Sequence, residues 1–235
     1  MAPKTKTRQE KAFNALRADI LAGRVTPGQK LPFAELCANY AVSVGVIREA
    51  LSRLAEQGLV QVEPQLGFRV TSISEADLVH LTEARREIET LTLKHAFAEG
   101  GVAWESEVLA AHHRLGRCPQ RDPEDPDRLN DDWVEAHAVF HQTLLDGCEN
   151  PRLKAIALQL RDSAELYRRW SVPLGHHPER DIAGEHQALV DAVTAGDVDE
   201  AVRVLDRHIA LTTELLLDSG VMEPAEPIRQ GNVAS

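Results

Sequence analysis

Aromatic residues, cysteines and long apolar runs are all scarce in this chain of 235 residues. No apolar stretch approaches the roughly 18 residues that would read as a membrane-spanning helix. The N-terminus, MAPKTKTRQEKAF, lacks the apolar segment of a secretory signal. Its three cysteines (Cys37, Cys118 and Cys148) are odd in number and widely spaced, which is more typical of a reducing compartment than of a disulfide framework. We therefore expect a cytoplasmic protein with no membrane partner.

A positive net charge is also missing, because the chain carries a net charge of −11. Taken as an average, this value argues against binding to nucleic acid. The charge is unevenly distributed, however: residues 1–74 hold ten Lys and Arg against six Asp and Glu, a net +4, and residues 75–235 hold a net −15. This asymmetry indicates a basic N-terminal domain that can meet phosphate, followed by an acidic domain that avoids non-specific polyanions.

The first 74 residues have the pattern of a winged helix-turn-helix. Apolar residues recur at helical spacing in three segments, at about 8–22, 33–40 and 44–57. Ser43 precedes the third segment as a suitable N-cap, and Gly58 follows it as a stop. Two short segments then flank a turn that contains Gly67, which predicts a hairpin of two strands; the segments are Leu59-Val60-Gln61-Val62 and Phe68-Arg69-Val70.

The rest of the chain is predicted to be helical. Helices are expected at about 75–99, 103–116, 131–146, 151–172, 178–195 and 198–217. Ser74 to Asp77 resembles a capping box at the start of the first of them. Residues 118–130 are rich in proline and aspartate and predict a mobile loop. We expect a helical effector and metal-binding domain over 75–218 and a disordered tail over 219–235.

Two sets of residues in this sequence resemble the motifs of a known protein family. The N-terminal residues that carry the resemblance to the GntR superfamily are Pro27-Gly28-Gln29-Lys30-Leu31, Glu35-Leu36, Val42-Ser43, Ile47-Arg48-Glu49-Ala50-Leu51, Arg53-Leu54, Gly58-Leu59-Val60 and Gly67. Those that resemble the FCD ligand-binding domain of the FadR-type branch are Arg85, Glu89, Phe140-His141, Asn150-Pro151, Glu185-His186, Gly196-Asp197, Ala201 and His208. The resemblance covers about residues 8–217.

This resemblance implies a mainly α fold, with an N-terminal winged helix-turn-helix and a C-terminal antiparallel helical bundle. It implies a transcriptional regulator without catalytic residues rather than an enzyme. Its partners would be a double-stranded DNA operator, a second copy of the chain in a homodimer, and a small carboxylic acid that releases a repressor from DNA. The competing hypotheses are a sensor in which a metal ion itself is the effector, and, as a weaker one, a metalloenzyme.

The predicted DNA-contacting residues lie on the third helix and on the wing. The N-terminal end of a recognition helix faces base edges in the major groove, which assigns this role to Ser43, Val44, Gly45 and Arg48. Arg48 can contact guanine O6 and N7, Arg53 suits a phosphate contact, and Gly67 permits a close approach of the wing to DNA. The alternative is that Arg48 pairs with Glu35 or Glu49 and that Arg53 is merely solvated.

Two positions depart from the family pattern. Relatives usually carry an arginine directly after the serine, and often a further basic residue on the second helix; here these positions are Val44 and Ala34. Val44 offers an apolar contact, for example to a thymine methyl group, in place of a bidentate hydrogen bond. We therefore expect a preferred operator that differs from that of typical relatives.

Four histidines predict a metal site in the C-terminal domain. His137 and His141 are four residues apart on one helix, so they share a face, and His186 and His208 lie on two neighbouring helices. The resemblance maps onto these positions, except that relatives typically carry aspartate where this chain has His137. We expect a divalent transition metal, with zinc first and nickel or iron as alternatives. The alternative for His137 is a capping or solvent-facing side chain, which leaves three ligands.

Arg85 is the first candidate for binding the carboxylic acid, since the matching residue of relatives tends to face the pocket and a guanidinium can hold a carboxylate in bidentate fashion. The equally weighted alternative is an ion pair with Glu89, four residues along the helix. Tyr167 and Arg168, with Arg161, are further candidates for the effector pocket.

Overall fold

The chain forms two helical units in the computed structural model, which describes residues 7–21, 24–72, 74–124, 129–171 and 180–218. The first unit has the order α1 (Arg8–Leu21), α2 (Phe33–Tyr40), α3 (Val44–Glu56), β1 (Val60–Glu63) and β2 (Gly67–Val70). The second has the order α4 (Glu75–Glu99), α5 (Gly101–Leu115), α6 (Asp131–Asp146), α7 (Pro151–Ser171), α8 (Ile182–Ala195) and α9 (Val198–Asp218).

The first unit buries its own core between α1, α2, α3 and the hairpin. The fully buried side chains include Leu16 and Ile20 of α1 and Leu51 and Leu54 of α3. Strands β1 and β2 are antiparallel, with Val60 opposite Val70 and Glu63 opposite Gly67. This arrangement of three helices and a two-stranded wing confirms the predicted fold of the N-terminal part.

The second unit is a bundle in which α4 packs against α7 and α9, α5 against α6, and α8 against α9. Its core contains Phe140 and Leu144 of α6 and Leu189 of α8. The predicted cap of α4 is present, because the Ser74 side chain accepts a hydrogen bond from the backbone N–H of Asp77. The predicted class, a winged helix-turn-helix followed by an antiparallel helical bundle, is confirmed.

One helix begins later than its sequence predicts. The apolar spacing favours a start near residue 178, whereas α8 begins at Ile182. The reason is local: the side chain of Asp181 accepts a hydrogen bond from the N–H of Gly184 at 2.8 Å and so caps the helix there. The predicted disorder of residues 219–235 lies outside the described residues. Among the helices of the described part, none is both long and apolar enough to cross a membrane.

Candidate functional site

The N-terminal end of α3 is an exposed surface. Ser43 occupies the N-cap position in extended conformation, but its hydroxyl makes no capping hydrogen bond within the described residues. Ser43, Val44, Gly45 and Arg48 are all exposed, and Val44 presents 47% of its surface. The side chains assigned to base contacts therefore share one accessible helix end, as the helix-turn-helix geometry requires. Their contact with DNA stays a prediction.

The two arginines of α3 have aromatic neighbours. The Arg48 guanidinium lies 5.0 Å from the centre of the Phe33 ring, and within the described residues it forms no ion pair with Glu35 or Glu49. The Arg53 guanidinium lies 3.9 Å from the Phe13 ring and so ties α3 to α1. Arg48 is thus held at the exposed end of α3 without a neutralising partner there, whereas Arg53 is partly buried and has a packing role as well.

The tip of the wing is open and apolar. Gly67 has φ +99°, and a Cβ added there would meet nothing within 4 Å. Two large side chains near it, Val62 and Leu66, are 60% and 66% exposed. The exposed apolar pair was not singled out by the sequence, because alternation in so short a strand does not show which face is covered.

The four histidines predicted to bind metal are brought together inside the bundle. His137 and His141 lie on the buried stripe of α6, His186 comes from α8 and His208 from α9, and all four side chains are buried. One nitrogen from each lies within 4.8 Å of the others. The Nε2 atoms of His141 and His186 are 3.2 Å apart. His137 is in the cluster, so the structure does not support the alternative of a solvent-facing side chain.

The cluster fits a transition-metal ion. A tetrahedral ion with metal–nitrogen bonds of about 2.0–2.1 Å separates its nitrogens by about 3.3–3.4 Å, close to the observed distance between His141 and His186. The Nδ1 atom of His141 is buried and has no hydrogen-bond partner among the described residues. Four imidazoles suit zinc, copper, nickel or iron and not the oxygen-seeking magnesium or calcium.

The protonation of the histidines also suits a metal. Burial, with the positive charge of neighbouring histidines and of Arg161, lowers the pKa of His141 well below its usual range. Burial lowers the pKa of His208 as well, and Glu185 offsets only part of this effect. Both imidazoles are therefore neutral at physiological pH, which is the state in which they bind metal ions.

His208 is oriented by a carboxylate that is itself held by an arginine. Glu185 accepts a hydrogen bond from Nδ1 of His208 at 2.6 Å, and Arg180 contacts both carboxylate oxygens of Glu185. Burial alone would raise the pKa of Glu185, but its hydrogen bonds to Arg180 and His208 lower it to about 2. A carboxylate on Nδ1 leaves Nε2 of His208 free for a metal, as in many metal sites. The role of Glu185 could have been suspected from the sequence, because Glu185 is adjacent to His186. No sequence feature points to Arg180.

Trp133 supports the other end of the cluster. Its ring stacks on that of His137, with centres 4.7 Å apart and planes 27° from parallel. Trp133 precedes His137 by four residues on α6, so both belong to the same buried stripe. The helical spacing of a tryptophan and a histidine was available in the sequence, but spacing alone does not reveal a stack.

Arg85 forms the ion pair with Glu89 that was the alternative to effector binding, and its contact with an effector stays a prediction. Arg85 donates to Glu89 at 2.7 Å, and Arg161 of α7 donates to the other oxygen of Glu89 at 3.1 Å. Burial would raise the pKa of Glu89, but both arginines together lower it, so this buried carboxylate is ionised. The group carries one net positive charge. Burial is the largest cause of the lowered pKa of His141 and His208, and the charge of Arg161 adds to the first effect and that of Arg85 to the second.

The remaining effector candidates are placed differently. The Tyr167 hydroxyl donates to Asp77 at 2.5 Å, and the N–H of Ser74 donates to it, so Tyr167 lies against the beginning of α4. Its role in binding an effector stays a prediction without a supporting contact. The side chain of Arg168 lies outside the described residues.

A groove of about 740 Å³ opens between α8 and α9. Arg180, Glu185 and His208 line its inner end, and Leu211 and Leu215 are among the apolar side chains that line the remainder. A groove of this size accommodates a small organic molecule. Of the four histidines, His208 is the one among the residues that line this groove.

Comparison with protein families matches both units. Residues 8–70 match the family described as bacterial regulatory proteins, gntR family, and residues 80–211 match the FCD domain. A transcriptional regulator of Paraburkholderia xenovorans, BphR, is 33% identical over 213 residues, which cover 91% of this chain and 86% of that protein. The transcriptional repressor GlaR of Escherichia coli is 35% identical over 201 residues, which cover 84% of this chain and 90% of GlaR.

Solved structures share the fold. Escherichia coli McbR/YncC superposes with a TM-score of 0.75 at 17% identity and covers 92% of this chain and all of that one. A GntR regulator from Rhodococcus superposes with a TM-score of 0.70 at 23% identity and covers 93% of this chain and all of that one. The fold, the exposed helix end and the two family matches agree. The chain belongs to the GntR family of bacterial regulatory proteins, in the branch with a C-terminal FCD domain, and is a DNA-binding transcriptional regulator and not an enzyme.

Proposed function

We propose that this regulator is a metal-containing repressor that a small carboxylic acid releases from its operator. The observation that carries the proposal is the buried cluster of four histidines next to the Arg85–Glu89–Arg161 group. Within this cluster the Nδ1 atom of His141 is buried and has no hydrogen-bond partner among the described residues, and such an atom is costly to bury unless something binds it. The DNA partner implies that the protein works in the cytoplasm.

Zinc is the first candidate for the ion, with nickel and iron as alternatives. His137, His141, His186 and His208 would hold it. Four neutral ligands leave the ion its full charge of +2, whereas the aspartate usual in the family would reduce it. The ion would supply an electrostatic attraction for an anionic group and, if its coordination shell expanded, an open position for that group.

The charges around the cluster favour a carboxylate as effector. Arg85, Arg161 and Glu89 together carry one net positive charge, and a divalent ion held by the histidines would add two more. A guanidinium binds a carboxylate through two parallel hydrogen bonds, and in a buried site such a contact is far stronger than on the surface. An acid with two or more carboxylates matches this excess of positive charge better than a monocarboxylate.

A second candidate function is that of a metal sensor, in which the ion itself is the effector, and it follows from the number of histidine ligands. Four histidines around a tetrahedral zinc ion fill every position, as in structural zinc sites, and leave the acid only the arginines. An octahedral nickel or iron ion with the same ligands keeps two positions, enough for a chelating acid. The coordination number therefore distinguishes an acid-responsive repressor from a metal sensor.

The chain would bind DNA as a homodimer on a pseudo-palindromic operator. Arg53 would contact a phosphate, and Gly67 would let the wing approach the DNA. The residues that would contact base edges are Ser43, Val44, Gly45 and Arg48. Val44 is exposed at the place where relatives carry arginine, which supports an operator of altered sequence. Relatives named as repressors, GlaR among them, support repression as the mode of action.

The test uses the protein as purified, its metal content, and an operator obtained by in vitro selection. Elemental analysis should find about one transition-metal ion per chain. In fluorescence anisotropy with the metal-loaded protein, citrate or another member of a panel of C2–C6 mono-, hydroxy-, di- and tricarboxylic acids should raise the operator Kd at least tenfold.

Two results would contradict the proposal. If no acid in the panel binds the metal-loaded protein or shifts its operator Kd, the acid-responsive function is wrong. If addition of zinc to the chelated protein alone changes the operator Kd tenfold, with no further change on adding acids, the ion is the effector. Arg85→Gln is the variant that should abolish the response to acid and keep the metal content.

A further inference from the structure

Helix α7 belongs to the effector domain, yet its side chains cap the recognition helix. Gln159 donates a hydrogen bond to the backbone oxygen of Glu56 at 3.0 Å. The Ser163 hydroxyl lies 3.4 Å from the backbone oxygen of Gln57, and its single proton is shared with the Gln159 backbone oxygen of its own helix at 3.2 Å. Glu56 is the last residue of α3 and Gln57 is its C-cap. These are terminal carbonyls, which lack partners inside their own helix. The bundle therefore holds α3 at the end opposite to the DNA-contacting end.

The contact is close and reaches α1 as well. Asp162 of α7 pairs with Arg17 of α1 at 2.8 Å, with both side chains mostly covered. At Gly58, directly after the cap of α3, an added Cβ would lie 2.9 Å from the Ser163 Oγ. The backbone of the DNA-binding unit thus lies against α7 with no room for a side chain. Arg17 and Ser163 are far apart in sequence from their partners, so no local pattern predicts this interface.

The same turns of α7 also reach the Arg85–Glu89 pair of α4. Arg161, whose side chain is 11% exposed, donates to Glu89 of α4 at 3.1 Å, and its charge contributes to the lowered pKa of His141. It stands between Gln159 and Ser163 in the chain and directly before Asp162. Because an α-helix advances 1.5 Å per residue, these four side chains originate within about 6 Å along one rigid element. A displacement of α7 at Arg161 is therefore a displacement at the end of α3.

We propose that α7 couples the two domains directly: Arg161 senses an anion that binds beside Glu89, and Gln159, Asp162 and Ser163 transmit the position of α7 to α1 and α3. The inference rests on the proposed function for its natural ligand and names the regulatory contact of that site. An anion that draws Arg161 away from Glu89 moves α7 relative to α4, and the capped end of α3 follows. The two half-sites of a dimer then no longer match the operator spacing.

The test is a double-mutant cycle on operator affinity, which needs no effector. Glu89→Gln perturbs the contact of Arg161 inside the pocket and keeps a hydrogen-bonding group of the same shape. The combined variant Gln159→Ala/Asp162→Asn/Ser163→Ala removes the contacts of α7 with α1 and α3. Operator Kd is measured by anisotropy for the wild type, each variant and their combination, with zinc-loaded protein. In a control cycle, the combined variant is exchanged for Arg152→Gln, which changes an exposed residue of the same helix.

When Glu89→Gln is introduced into the wild-type protein or into the Arg152→Gln variant, the operator Kd should change at least fivefold. When it is introduced into the combined variant, the operator Kd should change less than twofold. Equal changes in all backgrounds, or no change in the wild type, would overturn the proposal. Arg161→Lys replaces Glu89→Gln if the latter has no cooperative melting transition. Zinc affinity and citrate binding are measured on the same samples: if both are absent while the cycle shows coupling, the proposed function fails and the coupling stands.

Discussion

The orientation of His208 by Glu185 leads to a quantitative prediction about metal binding. Glu185 accepts from Nδ1 of His208 at 2.6 Å, and no backbone group shares that role among the described residues. In Glu185→Gln the side chain keeps its shape but loses its charge, so it no longer enforces the Nδ1–H form of the imidazole. Loss of such a partner typically lowers metal affinity 10–100-fold, about 1.4–2.7 kcal/mol.

The neighbouring arginine places the effect at the upper end of that range. Arg180 has its Nη2 atom 3.4 Å from Nδ1 of His208, and Glu185 balances its charge. After Glu185→Gln this guanidinium is unbalanced beside a ligand of the ion, and its positive charge opposes the binding of a cation. We expect the zinc Kd to rise close to 100-fold, with a smaller rise in Arg180→Gln, which keeps the carboxylate on His208.

The assay is a competition for zinc with a chelating dye at pH 7.5. Glu200→Gln is the matched control, since Glu200 also pairs with an arginine, Arg203, but on the exposed surface of α9 and without a histidine contact. The control should bind zinc as the wild type does. A zinc Kd for Glu185→Gln within twofold of the wild type, with an unchanged melting temperature, would refute the role assigned to this carboxylate.

Three further predictions follow from particular residues. Arg48→Ala should weaken operator binding by about 1–3 kcal/mol and relax the preference at one base pair, as seen by repeating the selection with the variant; an unchanged preference would contradict base contact. Burial lowers the pKa of His141 and His208 in the folded state, so at acidic pH the unfolded chain binds protons that the folded chain does not. The free energy of unfolding of the metal-free protein should therefore be greatest above about pH 6.5. Below that pH it should fall by up to about 1.4 kcal/mol per pH unit for each histidine. Denaturant melts from pH 7.5 to 5 that show no loss would contradict this, and His141→Gln should reduce the slope. Gly58→Ala should destabilise the protein by more than about 1 kcal/mol in the same melts, since Gly58 has φ +75° and no room for a Cβ beside Ser163.

The positions of the helices could be predicted from sequence because their signals are local. Apolar spacing, Gly58 after α3 and Ser74 before α4 lie within a few residues of the element that they mark, and the observed ends differ little from those expected. The later start of α8 is the exception, because a side-chain cap at Asp181 outweighed an apolar period that continued further back.

The candidate site could be predicted only in part. His137 and His141 share a face by their spacing, His186 and His208 were expected on two neighbouring helices, and the family resemblance supported all but the first. Whether the last two met the first two depended on how α8 and α9 pack on α6, which is a long-range property. The effector candidates show the limit: Arg85 pairs with Glu89, and Tyr167 contacts Asp77 at the beginning of α4, and neither contact could be ranked from the sequence against binding of an effector.

The sequence by itself determined the class of this protein: a basic winged helix-turn-helix joined to an acidic helical domain that carries histidines, since charge, periodicity and motif spacing are properties of neighbouring residues. Tertiary structure alone decided that the four imidazoles share one buried space, that Glu185 and Arg180 orient His208, and that α7 caps the recognition helix. Each of these contacts joins residues from different helices, and the partner is chosen by the packing of whole helices, which no short segment encodes.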